Sequence, residues 1–151
     1  MAALTGPLPD IGHAIQLALA PVFLLTGIAG LLSVMTNRLA RIIDRGRHFE
    51  QAWARLDEQA RHQAQAELVN LERRRRVASQ AINACTFAAL MVCLVVATLF
   101  LEVLLELPLK AAAGVLFLAS MAGLIVGLGA FLREVHLATA TVRIPTWMLE
   151  R

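Results

Sequence analysis

The sequence predicts an all-α integral membrane protein. It has three transmembrane helices and a long cytoplasmic antiparallel helical hairpin between the first and second. Three observations lead there. The 151 residues are 58% hydrophobic and 17% charged, with a mean hydropathy of +0.67, whereas soluble domains sit near 45–50% apolar and about 25% charged. Apolar runs at 15–35, 84–101 and 111–132 each approach the ~20 residues that cross a bilayer. Charge is concentrated between the first two runs, where 37–76 holds ten of the 14 Lys/Arg and six of the 11 Asp/Glu. The length suits one domain. With the charge so confined, the excess of +3 reports a membrane-flanking pattern and argues against a nucleic-acid surface.

The leader, 1–12, carries Gly6, Pro7, Pro9 and Gly12, with Asp10 as a candidate N-cap. No basic residue precedes the first apolar run, so no cleaved signal peptide is expected. The first span covers 13–36, with Pro21 in its first two turns, where a kink would be mild. The hairpin covers 37–78. Its outgoing seam is Leu39, Ile42, Gly46, Phe49, Trp53, Leu56 and Ala60, at alternating spacings of three and four. Its return seam is Leu68, Leu71, Arg75, Ala78 and Ile82, which places the turn near 57–63. The second span covers 79–103, an outside loop 104–110 and the third span 111–133. The tail, 134–151, continues helically to about Thr141. Pro145 breaks it, and Trp147-Met148-Leu149 would rest at headgroup level. Basic residues dominate 37–76 and are scarce in the leader and the 104–110 loop. The positive-inside rule then puts the N-terminus outside and both hairpin and C-terminus in the cytoplasm of a bacterial inner membrane.

Four groups of residues stand out. The stripe Thr26, Gly30, Ser33 and Asn37, continued by Arg41, Asp44 and His48, follows one helix face. It either lines a pore or packs helices together, and packing is favoured because small residues commonly let membrane helices approach. Arg38, Arg41 and Arg45, with Arg73, Arg74, Arg75 and Arg76, form a basic collar. Such a collar anchors topology and contacts anionic lipid headgroups or an acidic partner. Glu102 and Glu106 lie one turn apart at the outer end of the second span, as outer carboxylates or a carboxylate ring in an oligomer. Ser120, Gly123, Gly127 and Ala130 form a small-residue packing face. Cys85 and Cys93 are eight residues apart on one helix, about 12 Å, too far to pair. The four histidines lack metal-ligand spacing, and the chain has no phosphate loop or nucleophile elbow. No enzyme activity, metal or cofactor is expected.

The run Pro-Val-Phe-Leu-Leu-Thr-Gly-Ile-Ala-Gly at 21–30, then Asn-Arg-Leu-Ala-Arg-Ile-Ile-Asp-Arg at 37–45, resembles the start of the bacterial membrane family labelled domain of unknown function 2721. The arginines at 74–76 and Leu-Phe-Leu at 99–101 are similar too. That resemblance implies a small multi-span helical protein and supplies no activity. Element order is also similar to the YidC–Oxa insertases: N-terminus out, a span, a cytoplasmic two-helix coiled coil, then two spans. This chain lacks the arginine that many insertases carry within the first span. The leading expectation is a homo-oligomeric membrane scaffold whose hairpin contacts a cytoplasmic protein partner. A homo-oligomeric ion channel lined by the first span is the alternative, and an insertase or membrane chaperone a further one.

Overall fold

The computed structural model describes residues 11–141, all in helices and two short connections. Helix α1 spans Ile11–Ala52 and ends in a single 3-10 turn, Trp53–Arg55; α2 spans Glu58–Leu105 and α3 spans Lys110–Thr141. All three are long and apolar enough to cross a membrane. Asp10 and Trp147-Met148-Leu149 lie outside the described residues. α1 begins before the first apolar run, so Pro21 sits in its third turn, buried, rather than at its start. One turn on, the Thr26 hydroxyl donates to the Val22 carbonyl at 3.3 Å.

The first connection is tighter and earlier than the sequence suggests. α1 winds down through Trp53–Arg55, Leu56 turns extended at φ −79°, ψ 139°, and α2 starts at Glu58. Asp57 caps α2: its Oδ1 accepts the Ala60 N–H at 2.7 Å, and its carbonyl accepts the Arg61 N–H at 2.9 Å. No residue here needs a left-handed backbone, so neither Gly nor Pro marks the turn.

The second connection does need one. Glu106 has φ 54°, the left-handed conformation that usually falls to Gly just past a helix end. α2 therefore stops at Leu105, and Glu106 does not stack one turn above Glu102 on a common helix face. Beyond it the Leu109 N–H donates to the Leu107 carbonyl across Pro108 at 2.9 Å, and the Leu109 carbonyl accepts from Ala113 at 3.0 Å. A left-handed L-residue costs about 1 kcal/mol relative to Gly. Glu106→Gly should therefore raise stability by roughly that amount, read as a higher midpoint in detergent-denaturation titrations.

The chain divides into two compact units. Among the described residues, the first contains 11–33 and 84–126. Its described core is built from small side chains: Ala14 and Ala18 of α1, Cys85 and Ala88 of α2, Ala113 and Ser120 of α3, with Ile28, Val92 and Val95 between them. Small residues let helices approach closely where the hydrophobic effect between helices is weak. At Gly123, a Cβ would lie 3.2 Å from Phe87 Cδ1, 3.4 Å from the Ala84 carbonyl oxygen and 3.5 Å from Ala88 Cβ.

Among the described residues, the second unit contains 34–83 and 127–141. Here the two helices flanking the first connection pack through Ile42, Leu71 and Ala78, with Leu39 and Phe49 against them. Of the outgoing seam, Leu39, Ile42 and Phe49 pack here, whereas a Cβ at Gly46 would meet nothing within 4 Å and Trp53 is exposed. On the return arm Arg75 is exposed and Arg74 is turned inward, so the buried face of α2 differs by one position from the expected seam there.

Candidate functional site

The most unusual residue in the second unit is Glu134. It sits on α3 just past the apolar run and is only 1% exposed. Transferring a lone carboxylate into such a place costs several kcal/mol, so its partners decide whether it is tolerated. It has two. Arg38 Nε of α1 donates to Oε2 at 2.9 Å, and Arg74 Nη2 of α2 donates to Oε1 at 2.9 Å. Each carboxylate oxygen thus takes one guanidinium from a different helix. Charge-assisted hydrogen bonds of this length are about twice as strong as neutral ones. Phe131, one turn before Glu134, lies under the Arg38 guanidinium at 5.7 Å. One carboxylate therefore ties three helices together.

Beside the triad lies a cavity of about 500 Å³, lined by Arg38, Arg41, Arg45 and Arg74, with Glu67 and the apolar wall of Ile42 and Leu71. Arg45 is committed: its Nε and Nη2 both donate to Glu67 Oε1, at 3.0 and 2.8 Å, and its guanidinium lies 5.5 Å over the Phe49 ring. Arg74 Nε is buried without an acceptor among the described residues. Arg41 is exposed and forms no ion pair there either.

The basic collar therefore separates into two sets. Arg38, Arg41, Arg45 and Arg74 converge on the cavity. Arg73, Arg75 and Arg76 point away and are exposed. Arg75 and Arg76 share Glu72: Arg75 donates from Nε and Nη2 at 2.7 and 2.9 Å, and Arg76 from Nε at 2.9 Å. The Arg75 hydrogen bond, then that of Arg76, pulls the Glu72 carboxyl down to about 2.

The other candidates fall elsewhere. Thr26, Gly30, Ser33 and Asn37 are all exposed, opposite the buried Ile28, Met35 and Ile42 of the same helix. A Cβ at Gly27 or Gly30 would meet nothing within 4 Å. Asp44 is exposed and makes no ion pair among the described residues. Glu102 is half-buried and Glu106 exposed. Ser120 and Gly127 are buried, and Gly123 and Ala130 half-buried. Cys85 is buried and Cys93 exposed.

Sequence reasoning missed Glu134, although a signal was present. Ala113, Ser120, Gly127 and Glu134 recur every seven residues on α3, and all four are buried. Extending the Ser120–Gly127 face by two turns reaches the carboxylate.

Neither the curated proteins nor the solved structures contain a match to the chain, and the similarity to the YidC–Oxa insertases, drawn from element order and charge, is not confirmed by them. A family model does match, over residues 18–144, and takes in the whole triad and cavity. The chain therefore belongs to the family described as protein of unknown function (DUF2721).

Proposed function

We propose that this is a non-enzymatic inner-membrane scaffold. It self-associates through the exposed face of α1 and holds the paired ends of α1 and α2 in the cytoplasm as an arm for a protein partner. The observation that carries the reading is the outward stripe. Thr26, Gly30 and Ser33 are small or polar residues within the apolar run of α1, Asn37 follows just beyond it, and all four are exposed. Within each helix's most apolar stretch only 17%, 17% and 11% of residues are buried. Much apolar surface is left for lipid and for other copies of the chain. The collar arginines supply the charge asymmetry that sets a cytoplasmic arm. Trp53, exposed beside the first connection, is the aromatic such an arm presents to a partner.

The test is the mass of the protein in nanodiscs. An oligomer is expected, and Gly30→Leu, which fills open space on the stripe, should shift at least half of it to monomer. A protein that is monomeric at every concentration would overturn the reading. Ion flux above that of empty liposomes would replace it with a pore lined by the same stripe.

A further inference from the structure

We propose that the cavity formed by Arg38, Arg41, Arg45 and Arg74 is a binding site for a phosphate monoester, with Glu134 as the positioning residue that holds it in shape. The site contains none of Thr26, Gly30, Ser33 and Asn37 and stands whether or not the chain oligomerises.

Charge comes first. Four arginines face two carboxylates, Glu67 and Glu134, so two positive charges remain uncompensated in one small volume. A phosphate monoester carries about −1.5 to −2 near neutral pH and matches that excess. The donors are also specific in kind. Guanidinium forks fit phosphate oxygens two at a time, whereas an ammonium acts as a point charge. The collar contains no lysine.

Pre-organisation is the second point. Glu134 holds Arg38 through Nε and Arg74 through Nη2. Each arginine has five N–H donors, so both keep donors in reserve while their position is fixed. Flexible arginines would lose rotamer entropy on capturing an anion; these two have already lost much of it in folding. Arg45 is likewise held by Glu67. Arg41 is the guanidinium left over, exposed and without an ion pair among the described residues.

The third point is an unmet need. Arg74 Nε is buried and has no acceptor among the described residues. A buried donor without a partner is costly, and because Arg74 lines the cavity a small shift of its side chain would bring that donor to a phosphate oxygen seated between Arg41 and Arg74. The volume, about 500 Å³, lies in the range of small-molecule sites. It exceeds what a bare phosphate fills, and the apolar wall of Ile42 and Leu71 suits the carbon skeleton of an ester. That ester can be a free metabolite or the headgroup of a lipid such as phosphatidic acid.

The experiment uses the full chain in phosphatidylcholine nanodiscs. One arm titrates glycerol 3-phosphate; the other compares nanodiscs with and without phosphatidic acid, counting bound lipid by native mass spectrometry. Saturable binding of one ligand per chain in either arm is expected, and the arm that responds identifies the source. Arg41→Gln should weaken binding at least tenfold. Arg41 is exposed and makes no ion pair among the described residues, so the variant is expected to fold, checked by its helical circular dichroism. Arg73→Gln removes the same charge outside the cavity and should change binding less than twofold. No saturable binding in either arm would overturn the proposal, as would equal losses in the two variants, which would show surface charge alone at work.

Discussion

Glu134→Ala is expected to destabilise the protein by about 3 kcal/mol, the cost of removing one member of a buried ion-pair network. Arg38 and Arg74 are then left facing each other with no counter-charge, their side chains only 35% and 23% exposed. They must either remain partly desolvated or swing out and pull the helix ends apart. Glu134→Gln keeps the shape and one acceptor but loses the charge, so its cost should be smaller. The sharper comparison is the triple change of Arg38, Arg74 and Glu134 to Met. Replacing a whole buried charge network by apolar residues of similar size is often neutral or stabilising, because the desolvation term disappears with the attraction. The triple variant should therefore be more stable than Glu134→Ala alone, measured as the midpoint of reversible unfolding in mixed micelles. If Glu134→Ala unfolds at the same denaturant as the parent, the triad is not a stabilising element. If the triple variant is worse than the single one, what the triad contributes is attraction rather than compensation.

The same triad marks where the sequence stops being legible. Three apolar helices, the extended α1 and α2, and the helical reach to Thr141 all follow from hydropathy and periodicity. The inward face of α2 was harder. Ala64, Leu71, Ala78, Ala81, Cys85, Ala88, Val92 and Val95 are all buried. They are joined by Glu67 and Arg74 into one unbroken alternation of three and four residues. A search for apolar seams skips those two charged positions and drifts to Leu68 and Arg75. Four consecutive arginines wrap most of the way round a helix, so at least one of them must face inward. Which one does is fixed by the buried carboxylate on α3, a contact 60 residues away in sequence. Local pattern contains no information about it. Arg38, Arg41 and Arg45 did share a face in the sequence, because their spacing is helical. That the same face opens on a cavity depends on tertiary packing. The first turn was illegible for the opposite reason: its backbone is ordinary, so it selects no Gly or Pro.

Gly123→Leu is expected to be the most damaging single change in the first unit, at about 2–3 kcal/mol for overpacking a close helix contact. The neighbours decide this. The nearest atom to a new Cβ is Phe87 Cδ1 at 3.2 Å, and Phe87 is half-exposed, so its ring can give way. The next is the Ala84 carbonyl oxygen at 3.4 Å, which is backbone and moves only with the helix. Ala88 Cβ follows at 3.5 Å on a residue with no exposed surface. A single methyl is therefore absorbed by the ring, and Gly123→Ala should stay within about 1 kcal/mol of the parent, helped by the better helix propensity of Ala. Three further carbons have nowhere to go except between α2 and α3. In a bilayer the helices are held by van der Waals contact more than by the hydrophobic effect, so a wedge there is not repaid by apolar burial. Gly114 is the control. It lies on the same helix, and a Cβ there meets nothing within 4 Å, so Gly114→Leu adds the same carbons to open surface. Its stability should equal or exceed the parent's. Equal losses at the two positions would mean that glycine is needed for the backbone of α3 rather than for its contact with α2.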